Sequence, residues 1–307
     1  MKAFAGVLTP IVTPFTGDDR VDEAGLRRNV RQWMKTPLTG LVVLGSNGEA
    51  PQLDDDEADR VVDLVRAEVP PDRSLIAGTG RESTRATIAA TRRAAAAGVD
   101  AVMVRTPSFF RPQMTADVLV RHYTDVADAS DVPVLLYNVT MYTGVNLPVD
   151  AVAQLAQHPN IVGMKESGSD IGQIAECVAR TPDDFTILAG SATTYFHALC
   201  AGCDGAVLAI ASLLPDVCVR IRELIAANQL ADARDLQQRM TPLARLVGST
   251  HGVAGLKAAL DLLGFAGGPP RPPLRPVSAA VIDSLRHQLD ALAVAGLVAG
   301  PTTAPQQ

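Results

Sequence analysis

The chain has 307 residues, 47% of them apolar, with 27 Lys and Arg against 33 Asp and Glu for a net charge of −6. A pI near 5.4 excludes the basic field that nucleic acid or an anionic membrane surface would require. No apolar run approaches the roughly 20 residues of a bilayer span, and Pro10 interrupts the N-terminus before a signal-peptide core could form, so the reading is a soluble, cytoplasmic protein.

Eight short apolar runs recur along the chain: Ala5–Leu8, Gly40–Leu44, Ser74–Ala77, Ala101–Val104, Pro133–Tyr137, Ile161–Lys165, Thr186–Ala189 and Gly205–Ala209. Most are rich in β-branched residues or Leu on both faces, as strands of a parallel sheet covered on both sides should be. Segments of helical period separate most of them. Asp55–Glu68 and Glu82–Ala97 are the clearest, the second stopped by Gly98. Eight strand–helix units predict an α/β fold, a (β/α)8 TIM barrel, over residues 1–225.

Residues 226–298 read as a helical extension packed on the barrel. Its segments are Leu230–Leu246, Val253–Leu263 and Ser278–Ala295, after Pro215–Asn228 has closed the barrel. Gly252 and the Pro-rich run 267–273 break this pattern. Residues 299–307 (AGPTTAPQQ) read as a disordered tail.

In such a barrel the chemistry sits at the C-terminal ends of the strands. The residues there are Gly45-Ser46-Asn47-Gly48-Glu49 after the second run, Tyr137-Asn138 at the fifth, Lys165-Glu166-Ser167 at the sixth and Gly190-Ser191 after the seventh. Strand alternation puts Ile161, Gly163 and Lys165 on one face and Val162 and Met164 on the other. Facing inward, Lys165 would be an amine that desolvation turns into a nucleophile; facing outward, it would pair with a helix carboxylate. The strand pattern alone leaves both open. Tyr137 is either a proton donor beside that amine or core packing, and the Ser46-Asn47 turn either receives an anion or merely joins strand to helix. Arg105 reads as a surface pair or a contact to a substrate carboxylate.

Neither cysteine nor histidine spacing adds a site. Cys200 and Cys203 form a CxxC without the further ligands zinc would need, so packing is expected, and the five histidines lie far apart, most at surfaces or helix ends. No metal site is expected.

GSNGE (45–49), Thr106-Pro107 followed by Phe109-Phe110, LLYN (135–138), GMKES (163–167) and LAGSA (188–192) occur in one order, each at a strand end. In this the chain resembles the pyruvate-dependent class I aldolases, the superfamily of dihydrodipicolinate synthase and N-acetylneuraminate lyase. The wording of residues 158–168 and 255–274 is closest to its 4-hydroxy-2-oxoglutarate aldolase branch. The resemblance implies a carbon–carbon lyase in which Lys165 forms an imine with pyruvate or another 2-oxo acid, with no metal or organic cofactor. It makes Tyr137 the proton shuttle with Ser46 as relay, and gives the substrate carboxylate to Ser46 and Asn47. Gly190, Ser191 and Val207 would line the pocket, Ser167 would orient the distal end of the substrate, and Phe109 would add an apolar wall. A homotetramer built as a dimer of dimers is implied as well.

Two positions depart from the family pattern. Phe109 replaces a tyrosine that many members carry and often donate across a subunit interface to the proton relay, and Tyr142 stands where dihydrodipicolinate synthases use an arginine. The second argues against aspartate semialdehyde as acceptor and favours 4-hydroxy-2-oxoglutarate. Dihydrodipicolinate synthase-like condensation, a 2-oxo-3-deoxy sugar acid dehydratase or aldolase, and a non-catalytic 2-oxo-acid-binding paralogue are the alternatives.

Overall fold

The computed structural model describes residues 2–298, so the tail expected at 299–307 lies outside the described residues. Eight parallel strands close a barrel in sequence order: β1 (Gly6–Pro10), β2 (Gly40–Val43), β3 (Ser74–Gly78), β4 (Ala101–Arg105), β5 (Val134–Asn138), β6 (Ile161–Glu166), β7 (Thr186–Ala189) and β8 (Gly205–Val207). The fold is a (β/α)8 TIM barrel. Each expected strand is present within one or two residues. β1 differs most, starting one residue later and ending two later than expected, and β8 stops at Val207, two residues short, where the chain turns into a 3-10 turn at Ala209–Ser212.

Two apolar layers make the core. Leu8, Val42, Ile76, Met103, Leu135 and Leu188 fill the barrel interior, while a larger cluster lies between the sheet and the helices around it. The surrounding helices are α1 (Glu23–Trp33), α2 (Asp55–Arg66), α3 (Thr84–Ala96), α4 (Ala116–Asp128), the short α5 (Thr140–Thr143), α6 (Val149–Leu155), α7 (Ile171–Arg180), α8 (Tyr195–Cys200) and α9 (Pro215–Ala226). Their starts follow local chemistry. Asp54 caps α2 in a full capping box with Glu57, Ser83 caps α3, and Gly98 ends that helix region with a φ of +83°.

Three further helices follow: α10 (Leu230–Arg245), α11 (Gly252–Leu262) and α12 (Ala279–Val294). The expected break between the first two is present at His251–Gly252, where Gly252 takes a φ of +53°, and it is preceded by a π-helical turn, Leu246–Thr250, that continues α10. Segment 265–266 is fastened to α1: the Phe265 ring stacks on Trp33 at 5.4 Å, and Asn29 exchanges two hydrogen bonds with the Ala266 backbone.

His122 is a histidine that is not at the surface. It is buried on α4 with Nδ1 2.8 Å from Thr84 Oγ1, and burial pushes the imidazole down to about 4. Cys203 is buried and its thiol is pushed up to about 12 by desolvation, whereas Cys200 is exposed at the end of α8. Packing therefore accounts for only one of the two.

Closure of the barrel depends on backbone contact where β8 meets β1, at the pair Gly6–Gly205. A Cβ on Gly205 would fall on the Gly6 backbone, which has no side chain to move aside. Gly205→Ala should accordingly destabilise the fold by about 1–3 kcal/mol or more, read as a lowered urea midpoint. An unchanged midpoint would show that the seam has slack.

Candidate active site

The face that Lys165 presents is decided by an irregularity in β6. Val134 pairs with Ile161, but the next residue, Leu135, pairs with Gly163, leaving Val162 as an extra residue. The strict alternation expected from the sequence fails there. Ile161 and Met164 both pack in the outer layer, and Val162 packs with the barrel interior. From Gly163 onward alternation resumes, so Lys165 enters the mouth and Glu166 faces the helices.

Lys165 is 5% exposed, and its Nζ stands 4.4 Å from the centroid of the Tyr137 ring on the neighbouring strand, with which it is in register. The outward, carboxylate-paired alternative is thereby excluded. Tyr137 Oη lies 3.3 Å from Ser46 Oγ, so amine, phenol and hydroxyl form one continuous group at the C-terminal end of the barrel.

Ser46 and Asn47 belong to a 3-10 turn, Ser46–Gly48. The N–H groups of Gly48 and Glu49 close it on the carbonyls of Gly45 and Ser46, which leaves those of Ser46 and Asn47 outside its own hydrogen bonding. Left-handed residues flank it, Leu44 at φ 56° and Glu49 at φ 53°, a strained backbone of the kind that persists where surroundings over-determine it. Gly78 makes room for the first of these, since a Cβ there would meet the Leu44 carbonyl.

On the far side, Ser167 and Gly190 are in contact, and the Gly190 N–H donates to the Glu166 carbonyl at 2.6 Å. Ser167 Oγ is buried without a hydrogen-bond partner. Together these elements bound a cavity of about 480 Å³, the size of a small-molecule site, which Lys165, Tyr137, Ser46, Asn47, Ser191 and Val207 line among others. Of the described residues lining it, Lys165 alone is charged.

Phe109, expected at the site, does not line the cavity within this single chain. It is 78% exposed and packs edge-to-face on Phe110, 5.0 Å between centroids. The cause is Glu82, whose carboxylate accepts from the backbone N–H groups of both Ser108 and Phe109 at 2.8 Å and fixes the loop with its rings outward. Glu82 also pairs with Arg105 at 2.8 Å, so that arginine is a partnered charge, and these contacts hold the carboxyl down at about 2 against the opposing effect of burial.

Two contributions escape the sequence reading. Val247, Gly248 and Ser249, from the π-helical turn, also line the cavity; the only signal was a Gly-Ser-Thr run inside an otherwise helical segment. The second is Glu166, buried behind Lys165, which accepts from Asn138 Nδ2 at 2.7 Å, the Gly168 N–H at 2.6 Å and Gln173 Nε2 at 3.0 Å. It ties together the ends of the two strands that carry Tyr137 and Lys165. The described residues contain no cluster of His, Cys, Asp or Glu able to hold a metal ion, and no helix among them is long and apolar enough to cross a membrane.

Comparison with known proteins adds a lineage to this geometry. A profile described as the dihydrodipicolinate synthetase family matches residues 3–292. The chain belongs to that family. It is therefore a carbon–carbon lyase of the class I aldolase kind. A 4-hydroxy-tetrahydrodipicolinate synthase of Methanothrix thermoacetophila is 37% identical over 278 residues, covering 90% of this chain and 92% of the relative. The solved dihydrodipicolinate synthase of Thermotoga maritima is 32% identical over 96% of this chain and 99% of its own, with a TM-score of 0.90. YagE, a family protein of Escherichia coli K12 solved in complex with pyruvate, superposes at 0.88 with 27% identity, covering 94% of this chain and 99% of its own. These relatives bear the synthase or family name, so the placement nearest the 4-hydroxy-2-oxoglutarate aldolase branch gains no support from them.

Burial raises the Glu166 carboxyl above its ordinary value of 4.5, with its hydrogen bonds working in the other direction. A raised carboxyl binds its proton more tightly in the folded state, so its contribution to stability is present below pH 4.5 and is lost as pH rises through the folded value. Glu166→Gln should flatten that part of the pH–stability curve. Glu166→Leu removes the acceptor of the buried Asn138 amide bond, while Asn138 and Gln173 keep their bonds to Asn146, and should lower stability by about 1–3 kcal/mol. Equal pH–stability curves for wild type and the Gln variant would contradict the raised value.

Proposed function

We propose that the protein condenses pyruvate with a small aldehyde through an imine on Lys165, the reaction type for which its synthase relatives are named. The observation that carries this reading is the buried Lys165 amine 4.4 Å above the Tyr137 ring, in a cavity whose described lining offers no second charge. An amine so placed attacks the pyruvate ketone, and loss of water from the carbinolamine leaves the imine. The imine draws electrons from the neighbouring methyl group, which gives up a proton and becomes the nucleophilic carbon of an enamine. That carbon bonds to the aldehyde, the new alkoxide takes a proton, and water then releases the product from Lys165.

Each proton movement needs a group within reach of the reacting atoms, and the Tyr137 phenol, backed by Ser46 Oγ at 3.3 Å, is that group. The N–H groups of Ser46 and Asn47 receive the pyruvate carboxylate. Ser167 Oγ, buried and unpartnered, takes a hydrogen bond to the acceptor half, with Gly190, Ser191 and Val207 shaping that end. Phe109 and Phe110 in the loop after β4, and Met141 and Tyr142 on the short α5 after β5, stand exposed, an apolar surface of the sort that assembly covers, in keeping with the homotetramer implied by the resemblance.

A second reading is cleavage of 4-hydroxy-2-oxoglutarate to pyruvate and glyoxylate. Tyr142, rather than an arginine, lines the cavity, so the outer wall gives a long charged acceptor no cation. The glyoxylate carboxylate is shorter and stays near Ser167. Coupled assays separate the two readings: pyruvate consumption with aspartate semialdehyde, against pyruvate release from 4-hydroxy-2-oxoglutarate, 2-oxo-3-deoxygluconate and N-acetylneuraminate. Dominant turnover of the semialdehyde supports condensation, and dominant release from 4-hydroxy-2-oxoglutarate supports the second reading. Activity on none would overturn both. With whichever substrate is turned over, Tyr137→Phe should lower kcat by roughly 10²- to 10⁴-fold. Full activity of that variant would assign the proton to another group.

A further inference from the structure

A buried charge cluster outside the cavity adjoins the Ser46–Asn47 turn, which ends at Glu49 and packs against α11. Glu49 and Lys257 form an ion pair with both side chains only 1% exposed. Lys257 Nζ also donates to the Pro269 carbonyl at 2.9 Å and sits 4.3 Å from the Phe15 ring centroid. The other Glu49 oxygen accepts from the Arg271 backbone N–H at 2.8 Å. Arg271 continues along the same stretch of chain, with Nη1 on the Gln52 carbonyl at 2.9 Å and its guanidinium forked onto both oxygens of Glu57 at 2.6 and 2.8 Å. Residues 49, 52 and 57, which follow the turn, are thus all fastened to residues 257–271.

Stability alone is a weak reason for such an arrangement, because a buried ion pair loses hydration nearly as fast as it gains attraction and well-packed apolar residues often do as well. What the pair supplies that apolar residues cannot is a directional tether. Glu49 needs one, since it holds a left-handed backbone that a non-glycine residue adopts at a cost, and its N–H closes the turn on the Ser46 carbonyl. Movement of Glu49 would therefore move Ser46, whose hydroxyl lies 3.3 Å from Tyr137.

We propose that the buried Glu49–Lys257 pair is a positioning device by which α11 sets the Ser46–Asn47 turn in register with Tyr137 and Lys165, and so sets the affinity for the pyruvate carboxylate. This rests on the pyruvate reading above. Glu49 and Lys257 touch no substrate; they act through the turn.

The test is the pyruvate concentration giving half-maximal borohydride-trapped adduct on the full-length enzyme, measured beside the thermal midpoint. Glu49→Gln should raise that concentration roughly tenfold or more while leaving the maximal adduct yield intact, as loss of carboxylate positioning requires. Lys257→Arg, which keeps the cation, should stay near wild type. Glu49→Gln by itself leaves the buried Lys257 charge alone, so the double variant Glu49→Gln with Lys257→Met decides: it removes both charges at similar volume. A double variant that recovers the thermal midpoint yet keeps the raised half-saturation supports positioning. Recovery of both, or wild-type half-saturation in a folded Glu49→Gln, would reduce the pair to a structural role. Absence of any adduct in the wild type would instead overturn the pyruvate reading itself.

Discussion

Lys165 reaches the mouth of the barrel because β6 carries one residue more than β5 between the pairs Val134–Ile161 and Leu135–Gly163. In a sheet buried on both faces, side-chain direction alternates with every residue, and a slip of one exchanges the faces of everything that follows. With Val162 inserted, Ile161 and Met164 both fill the layer under the helices, and Lys165 stands on the inside while Glu166 stands on the outside. Without it, the same alternation that buries Ile161 outside would carry the lysine outside too. The remaining features of the site are arranged around that direction. Tyr137 is in register with the lysine, the Asn138–Glu166–Gln173 contacts lock the two strand ends, and Gly190, after the next strand, leaves room for Ser167.

The cavity is asymmetric in a way that matters for chemistry. One wall is a turn held by left-handed residues and buried charges, the other a set of neutral hydroxyls and small residues. In the proposed reaction the tethered wall would receive the pyruvate carboxylate and the neutral wall the acceptor. The π-helical turn at 246–250 brings the helices after the barrel into the second wall, while α11 and Arg271 brace the first. The C-terminal helices thus touch both halves of the site.

Much of this was legible in the sequence. Eight apolar runs at regular spacing specify the barrel, and the strand ends offered Lys165, Tyr137, Ser46, Asn47 and Ser167, all of which the fold brings to one cavity. The direction of Lys165 was not legible, because a bulge is a property of pairing between strands and leaves no mark on the hydrophobic pattern of either. The resemblance places Phe109 at the site; within this chain Glu82, about 26 positions away, fixes its loop with the ring outward through a pair of backbone hydrogen bonds, a contact no local pattern announces. The contribution of residues 247–249 was hidden for a similar reason: a π-helical turn keeps helical composition while shifting which side chains face the barrel.

The account depends on a covalent link at one nitrogen, with the carboxylate resting on the Ser46–Asn47 turn. A crystal structure of the enzyme soaked in pyruvate and reduced with borohydride measures both at once. The account predicts continuous density from Lys165 Nζ to the second carbon of the substrate, with the carboxylate within hydrogen-bonding distance of the Ser46 and Asn47 N–H groups. Density on a different lysine, or a pyruvate lying free in the cavity with its carboxylate turned away from that turn, would contradict it.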